Sequence, residues 1–274
     1  MSDIETYERY LDLLEKMLTR YGFEGSQKRL VLPHRTYSVY VWHLLQAELA
    51  NRNVSLVEAA DFDAGRREEG RDWPVDAETM VGLKRLRNVR NCVESVIADE
   101  VPGDLIETGS WRGGVTIYMR AILAAHGVKD RTVWVADSFQ GLPPPDAANP
   151  ADIGSKLYTR NELTIPVETV KQNFRKYDPL GDQVRFLEGF FEDTLPNSPI
   201  EQLSILRLDG DMYSSTTVAL GSQYDKLFVG GFLIVDDFGA VAGCRKAIED
   251  FRARRNINDE VRRIDYSGVY WQKS

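Results

Sequence analysis

The spacing of apolar residues over the first 75 residues indicates helices rather than strands. The apolar residues that recur at helical intervals near the start are Ile4, Tyr7, Leu11, Leu14 and Met17. A second helix is predicted over residues 39–51, and the charged segment 61–72 that follows is predicted to be an exposed loop. No alternating strand pattern occurs before residue 100, so we expect this part of the chain to be helical.

From residue 79 onwards the pattern changes to an amphipathic helix, predicted over 79–99, followed by short apolar runs that alternate with helices. The predicted strands are 104–108, 132–136, 183–187, 205–208 and 232–235, and the predicted helices are 114–126, 166–177, 216–228 and 239–255. This alternation is typical of a parallel sheet with helices on both faces. Residues 261–272 alternate about a Ser-Gly turn, which predicts a closing antiparallel hairpin.

Composition and charge exclude several classes of protein. The chain has 274 residues with a net charge of −8, and its hydrophobic content of 43% is ordinary for a globular protein. An acidic balance argues against a nucleic-acid partner, which would need clustered lysine and arginine. No apolar run approaches the roughly 20 residues that span a bilayer, and the acidic start of the chain lacks the features of a signal peptide. Cys92 and Cys244 are expected to be reduced thiols in a cytoplasmic protein.

Ligand chemistry is expected at the carboxyl ends of the strands, where open α/β sheets bind their ligands. The loop after the first strand of this region, 107–114 (ETGSWRGG), departs from two phosphate-binding motifs. Trp111 replaces the middle glycine of the dinucleotide fingerprint, and Val115 replaces the lysine of a P-loop. A nucleoside without phosphates fits better, because glycines admit its close approach and Asp137 can accept ribose hydroxyl protons. The alternative is a plain strand-to-helix turn in which Asp137 only caps a helix.

Glu107 stands at the start of this loop, where it would face a cationic amino group. S-adenosylmethionine combines an adenosine, an ammonium group and the absence of phosphate, so it is the ligand that these residues favour. After the third strand, Phe190 and Phe191 follow Gly189. We expect one of these two rings to flank the adenine while the other packs inside.

Four acids follow two strands that the alternation makes neighbours. Asp209 and Asp211 come after the fourth strand, and Asp236 and Asp237 come after the fifth. Carboxylates that converge without lysine or arginine repel one another strongly unless a cation lies among them. An oxygen-only set favours Mg²⁺, Mn²⁺ or Ca²⁺ over zinc. The alternative, that single acids such as Asp211 or Asp237 merely cap helices, explains the whole set poorly.

The order of four motifs resembles that of the macrocin O-methyltransferase family over roughly residues 79–272: ETGSWRGG, VADSFQGLPPPD, RLDGDMYSST and GGFLIVDDF. Members of that family are metal-dependent and S-adenosylmethionine-dependent sugar O-methyltransferases of antibiotic pathways. The resemblance implies a Rossmann-like class I methyltransferase fold, with a mostly parallel seven-stranded sheet, helices on both faces and a C-terminal antiparallel hairpin. It also implies that residues 1–75 form a helical cap over the acceptor site, and that residues 76–274 bind S-adenosylmethionine.

Position by position, the resemblance implies a set of site residues. The metal ligands would be Asp209, Asp236 and Asp237, with Asp209 also the general base. The residues that would bind the cofactor are Glu107, Thr108, Gly109, Ser110, Asp137, Ser138, Phe139, Gly189 and Phe190. More distant catechol-type methyltransferases have a lysine three residues after the first metal aspartate, and Met212 occupies that position here. The base must therefore be another group, such as Asp209.

Together these observations favour a Mg²⁺- and S-adenosylmethionine-dependent O-methyltransferase. Its acceptor would be a sugar hydroxyl of a glycosylated natural product, and we expect a cytoplasmic homo-oligomer with no nucleic-acid or membrane partner. Three alternatives stay open at this point: a metal-dependent glycosyltransferase that uses the Asp-Gly-Asp motif, an aspartyl phosphatase, and a methyltransferase-like module without catalysis. A phosphatase nucleophile normally lies near the start of its domain, whereas Asp209 follows the fourth strand.

Overall fold

A computed structural model of the chain describes residues 3–23, 27–29, 44–45, 48–49, 52, 54, 57–59, 61–146, 148–177 and 181–274. The helix predicted over 39–51 falls mostly outside these residues. The helices are α1 (Asp3–Leu18), α2 (Ala64–Glu68), α3 (Leu83–Ala98), α4 (Gly114–Ala125), α5 (Val167–Tyr177), α6 (Phe191–Thr194), α7 (Tyr213–Gln223) and α8 (Ala242–Arg255). The strands are β1 (Gln27–Arg29), β2 (Val57–Ala59), β3 (Asp104–Thr108), β4 (Val133–Asp137), β5 (Val184–Glu188), β6 (Leu203–Leu208), β7 (Leu227–Val235), β8 (Arg262–Arg263) and β9 (Val269–Gln272).

Seven of these strands form one sheet in the order β5-β4-β3-β6-β7-β9-β8. The strands from β3 to β7 are parallel to their neighbours, whereas β9 runs antiparallel to β7 and β8 antiparallel to β9. The chain therefore moves outwards from β3 to β5, returns to β6 and continues in the other direction. This reversal between β3 and β6 leaves a crevice at their carboxyl ends, where ligands bind in folds of this kind.

Two apolar layers hold the sheet between its helices. Along β3, Leu105 packs into the layer formed with α1, α3, α4 and α5, while Ile106 packs into the layer formed with α7 and α8. Both side chains have no exposed surface. Successive residues of a strand point to opposite faces, so a short continuous apolar run is what a doubly covered strand requires. The predicted parallel sheet with helices on both faces and a closing antiparallel hairpin is confirmed.

The N-terminal region differs from its prediction in two ways. β1 and β2 pair as an antiparallel ribbon, although no strand was expected before residue 100. The predicted exposed loop 61–72 contains α2, and Arg67 within it is only 3% exposed. The Arg67 guanidinium donates to the carbonyl oxygens of Thr19 (2.9 Å) and Arg20 (2.7 Å) at the end of α1. A hydropathy pattern treats arginine as exposed and cannot detect such pairing.

The predicted boundary between helix α7 and strand β7 was also wrong. The helix expected over 216–228 spans Tyr213–Gln223, and Leu227 already belongs to β7. Two glycines inside this strand are tolerated because they pair with the end of the chain. Gly230 N–H donates to the Lys273 carbonyl (2.7 Å), and Lys273 N–H donates to the Gly231 carbonyl (2.9 Å). Within the part of the chain that the structure describes, no helix is long and apolar enough to cross a membrane.

Candidate active site

The carboxyl ends of the parallel strands open into a cleft of about 590 Å³, a size typical of sites for small molecules. Two segments outside the sheet complete its walls. Residues of the segment 73–85 form one wall, and residues of the insert 141–163 between β4 and α5 form the other. The cleft includes the ends of β3 and β6, so it coincides with the reversal of strand order.

Gly109 allows the loops after β3 and β6 to touch. Its φ is +91°, and a Cβ built on it would lie 1.8 Å from the carbonyl oxygen of Asp209. Any larger residue would push these loops apart, so this glycine is required for their close approach. The glycine was expected to admit the close approach of a ligand, whereas the backbone of Asp209 occupies that space.

Asp137, at the end of β4, holds the glycine loop by its backbone. Its Oδ2 accepts the N–H groups of Ser110 (2.8 Å) and Trp111 (3.2 Å), and its Oδ1 accepts the N–H of Phe139 (2.8 Å). Burial raises the pKa of Asp137, and these N–H donors act in the opposite direction. Much of its accepting capacity is therefore engaged within the protein, which makes loop positioning a role of this carboxylate that the sequence did not reveal.

The predicted carboxylate cluster forms at the ends of β6 and β7, but two arginines lie inside it. Arg207 of β6 donates to Asp209 (2.7 Å) and to Asp236, and Arg85 of α3 donates to Asp236 from the other side. The expectation that these acids converge without lysine or arginine was wrong. Arg207 interrupts the apolar run Leu203–Leu208, in which every residue is buried. A buried arginine is almost always paired, and that signal could have identified it.

Even with both guanidiniums present, the acids remain in excess. Burial and the neighbouring acids raise the pKa of Asp209 to about 6, that of Asp211 to about 7 and that of Asp237 well above its usual value. One oxygen each from Asp209, Asp236 and Asp237 lies within 4.8 Å of the others. An oxygen-only set with excess negative charge fits a hard divalent cation, so these residues fit the predicted metal.

Glu107, at the end of β3, contacts Arg207 through one of its two carboxylate oxygens. Its Oε1 accepts from the Arg207 guanidinium, while its buried Oε2 has no hydrogen-bond partner among the described residues. Burial raises the pKa of Glu107 to about 8, although Arg207 lowers it. Because Glu107 lines the cleft, its free oxygen fits the ammonium group of a bound ligand.

Comparison with known proteins identifies the family. Residues 7–273 match the sequence profile described as Macrocin-O-methyltransferase (TylF). The chain belongs to the macrocin O-methyltransferase family. It is 54% identical over 271 residues to the demethyldecarbamoylnovobiocin O-methyltransferase of Streptomyces niveus, covering 97% of this chain and 93% of that protein.

A second relative and a solved structure agree with the macrocin O-methyltransferase assignment. The chain is 46% identical over 265 residues to the 8-demethyl-8-(2,3-dimethoxy-alpha-L-rhamnosyl)-tetracenomycin-C 4'-O-methyltransferase of Streptomyces olivaceus, covering 96% and 92% of the two chains. The solved structure of the O-methyltransferase NovP superposes with a TM-score of 0.83 at 45% identity, covering 98% of this chain and 99% of that one. The predicted class I methyltransferase fold and the predicted enzyme class are confirmed, and the glycosyltransferase and phosphatase alternatives are not supported.

Six of the nine predicted cofactor residues line the cleft: Glu107, Gly109, Ser110, Asp137, Ser138 and Phe190. The other three lie behind its surface. Thr108 is buried in β3, and Phe139 is only 6% exposed and packs against the Phe186 ring with 6.2 Å between centroids. Gly189 precedes Phe190 with a φ of +143°, so it shapes the turn that presents that ring. Phe191 also lines the cleft while packing against the core.

One contact beside the cleft left no signal in the sequence. Asp152, in the insert 141–163, is 3% exposed, and its carboxylate accepts the N–H groups of Tyr213 (2.7 Å) and Ser214 (3.0 Å). These are the first two residues of α7, immediately after the loop that carries Asp209. The partners are about 60 positions apart in the chain, so only the folded structure shows that the insert caps this helix.

Proposed function

We propose that this enzyme transfers a methyl group from S-adenosylmethionine to a hydroxyl of a sugar on a glycosylated natural product. One observation carries the proposal. Glu107, whose buried Oε2 has no partner among the described residues, lines the same cleft as the oxygen-only cluster of Asp209, Asp236 and Asp237. The first suits the ammonium group of the methyl donor, and the second suits a cation that orients an alcohol. The named relatives act on sugar-bearing antibiotics, which supports the acceptor class.

On the donor side, Glu107 would accept the ammonium group and Phe190 would lie beside the adenine. Asp137 keeps the backbone of Ser110 in place and would offer its remaining capacity to the ribose hydroxyls. Holding the donor in this way fixes the direction of its methyl group. Such orientation accounts for a large part of the rate in transfer reactions.

On the acceptor side, Asp209, Asp236 and Asp237 would hold Mg²⁺. When bound, Mg²⁺ would lower the pKa of a coordinated sugar hydroxyl. Trp73 lines this cleft, which supports the proposal that the segment 1–75 forms a cap over the acceptor. A cytoplasmic homo-oligomer stays a prediction.

In the reaction, the sugar oxygen bonds to the methyl carbon while the carbon–sulfur bond breaks and S-adenosylhomocysteine leaves. The hydroxyl proton would pass to the carboxylate of Asp209, which is partly exposed in the cleft. In the metal-free enzyme, burial and the charge of Asp236 raise the pKa of Asp209 to about 6. Arg207 lies against this carboxylate and limits how far its pKa rises.

Calorimetry and product analysis test the proposal. We expect S-adenosylhomocysteine to bind, uridine and nicotinamide nucleotides not to bind, and desmethyl glycosides to gain one methyl group in the mass spectrum. Activity should disappear in excess EDTA and return with Mg²⁺. Binding of a uridine nucleotide in place of S-adenosylhomocysteine would overturn the assignment, and full activity after rigorous chelation would remove the metal from it.

A further inference from the structure

Arg207 occupies a central position between the two halves of the cleft. In the parallel register of the sheet it stands opposite Glu107 of β3 on one side and Ile234 of β7 on the other. Its side chain is only 1% exposed. The guanidinium therefore lies in the protein interior, on the sheet face that Arg207 shares with Glu107 and Ile234, and not in solvent.

The guanidinium contacts three carboxylates that lie at the ends of three neighbouring strands, β3, β6 and β7. Nη1 donates both to Oε1 of Glu107 and to Oδ2 of Asp209, the latter at 2.7 Å, and Nη2 donates to Oδ1 of Asp236. Glu107 belongs to the proposed donor side, whereas Asp209 and Asp236 belong to the proposed metal side. One planar group thus joins both sides.

The second buried guanidinium does not have this arrangement. Arg85 donates to Oδ2 of Asp236 and, through Nε, to Oδ2 of Asp265 at 2.8 Å. Asp265 is fixed in turn by the N–H groups of Ser267 and Gly268. In the described contacts Arg85 therefore touches the metal side only, which makes it a natural comparison for Arg207.

We infer that Arg207 is a positioning residue that orients the methyl-donor acceptor Glu107 and the metal ligands Asp209 and Asp236 together. Because it holds Oε1 of Glu107, the other oxygen of that carboxylate, Oε2, is left without a partner among the described residues. Because it holds Oδ2 of Asp209 and Oδ1 of Asp236, it fixes two of the three carboxylates that each bring one oxygen within 4.8 Å of the others. This inference rests on the proposed function, since it assumes that the enzyme binds both S-adenosylmethionine and Mg²⁺.

The chemistry of arginine explains why one residue can serve both sides. A guanidinium is a rigid planar fork with five donors, whereas a lysine ammonium is a compact point charge on a flexible stem. Lysine at position 207 would keep the charge but would not span carboxylates on three strands. Ligand-orienting partners of this kind typically change metal affinity by about 10- to 100-fold when altered.

The test compares Arg207→Lys with two matched variants, Arg85→Lys and Glu107→Gln. Binding of S-adenosylhomocysteine is measured by calorimetry, and binding of Mn²⁺ by the electron-paramagnetic-resonance signal of the free ion. We expect Arg207→Lys to weaken both affinities by about tenfold or more. Arg85→Lys should weaken Mn²⁺ alone, and Glu107→Gln should weaken S-adenosylhomocysteine alone. A purely structural role would lower thermal stability without producing this split.

Two results would overturn the inference: a folded Arg207→Lys that loses only one affinity or neither, and an Arg85→Lys that loses both to the same extent. Should Arg207→Lys fail to fold, a crystal structure of the unaltered enzyme with S-adenosylhomocysteine and Mn²⁺ provides the second measurement. Arg207 must then remain within hydrogen-bond distance of Glu107 and of Asp209 or Asp236, and loss of either contact contradicts the inference. Failure of the unaltered enzyme to bind either probe would instead contradict the proposed function.

Discussion

The carboxylates at the strand ends of this enzyme differ in their hydrogen-bond partners because their surroundings differ. Asp137 is engaged by backbone N–H groups, Glu107 keeps one buried oxygen without a partner, and Asp209 shares a guanidinium with its neighbours. All three were selected from the sequence by the same argument, their position at a strand end. Their hydrogen-bond partners, and hence their proton affinities, separate them.

The raised pKa of Glu107 predicts how donor binding depends on pH. With a pKa of about 8, Glu107 is mostly protonated in the free enzyme near neutral pH, and binding an ammonium group requires loss of that proton. Affinity for S-adenosylhomocysteine should therefore rise by up to about tenfold per pH unit from about pH 6 to about pH 8, and level off above that. Calorimetry across this range measures it. Glu107→Gln should bind weakly with no such rise, and an unaltered slope in that variant would exclude Glu107 as the titrating group.

A second prediction at this scale concerns the general base. Asp209→Asn keeps the size of the side chain but removes its charge and its ability to take a proton. At saturating Mg²⁺ the rate constant kcat should still fall by about 10²- to 10⁴-fold, the usual contribution of a general base. Metal titrations of kcat measure this.

Asp211→Asn is the matched control for the base. Asp211 has a φ of +59°, a conformation that asparagine also tolerates, so the loop should survive the change. We expect the smaller loss there. An inactive Asp211→Asn beside an Asp209→Asn that keeps its rate would move the base to Asp211.

At the scale of elements, hydrogen bonds join the insert 141–163 to the first turn of helix α7. The buried carboxylate of Asp152 caps α7, and Gly243 of α8 leaves room for it, since a Cβ there would lie 3.0 Å from Oδ1 of Asp152. Helix α7 starts directly after the loop that carries Asp209 and Asp211. The insert that forms one wall of the cleft and the loop that carries Asp209 and Asp211 therefore meet at the N-terminal end of α7.

Loss of this cap should affect both stability and metal binding. Asp152→Ala should lower the free energy of unfolding by about 0.5–2 kcal/mol, as measured for other helix caps, and raise the Mg²⁺ concentration needed for half-maximal activity. Urea unfolding and metal titration measure the two effects. Asp146→Ala is the control, because Asp146 lies in the same insert and accepts the N–H of Ala148 in an exposed turn, with no link to α7 among the described contacts. Equal behaviour of the two variants would show that the cap has no such role.

At the scale of the whole molecule, the N-terminal helix belongs to the core of the sheet domain. Leu11 and Leu18 of α1 have no exposed surface and pack into the same layer as Ile117 and Tyr118 of α4. The boundary proposed at residue 75 therefore marks a change in sequence pattern, while the apolar core continues across it.

Truncating one buried leucine of α1 tests this continuity. Leu11→Ala should lower the free energy of unfolding by about 2–5 kcal/mol, because it leaves a cavity in a shared core. Leu13→Ala is the matched control, since Leu13 lies on the same helix and is 61% exposed. A single unfolding transition in urea is expected for both. If Leu11→Ala matched Leu13→Ala in stability, α1 would be an accessory to the fold.

The strand ends and their acids were accessible from the sequence because they depend on local patterns. An apolar run such as 104–108 ends in a glycine or an acid, and adjacent parallel strands place these ends at one edge of the sheet. The family assignment followed from the same four motifs. The α/β architecture, the cleft and the carboxylate cluster are therefore consequences of short-range sequence order.

The partners of those acids became visible only in the folded chain. Arg207 and Glu107 are 100 positions apart, and Arg85 and Asp236 are 151 positions apart, so no local pattern links either pair. Whether a buried charge is balanced depends on strand register and on which side chains meet between strands. Hydropathy treats each arginine as exposed, but folding buries Arg207 among three carboxylates. The identity of the acids follows from sequence order, and their electrostatic state follows from three-dimensional contact.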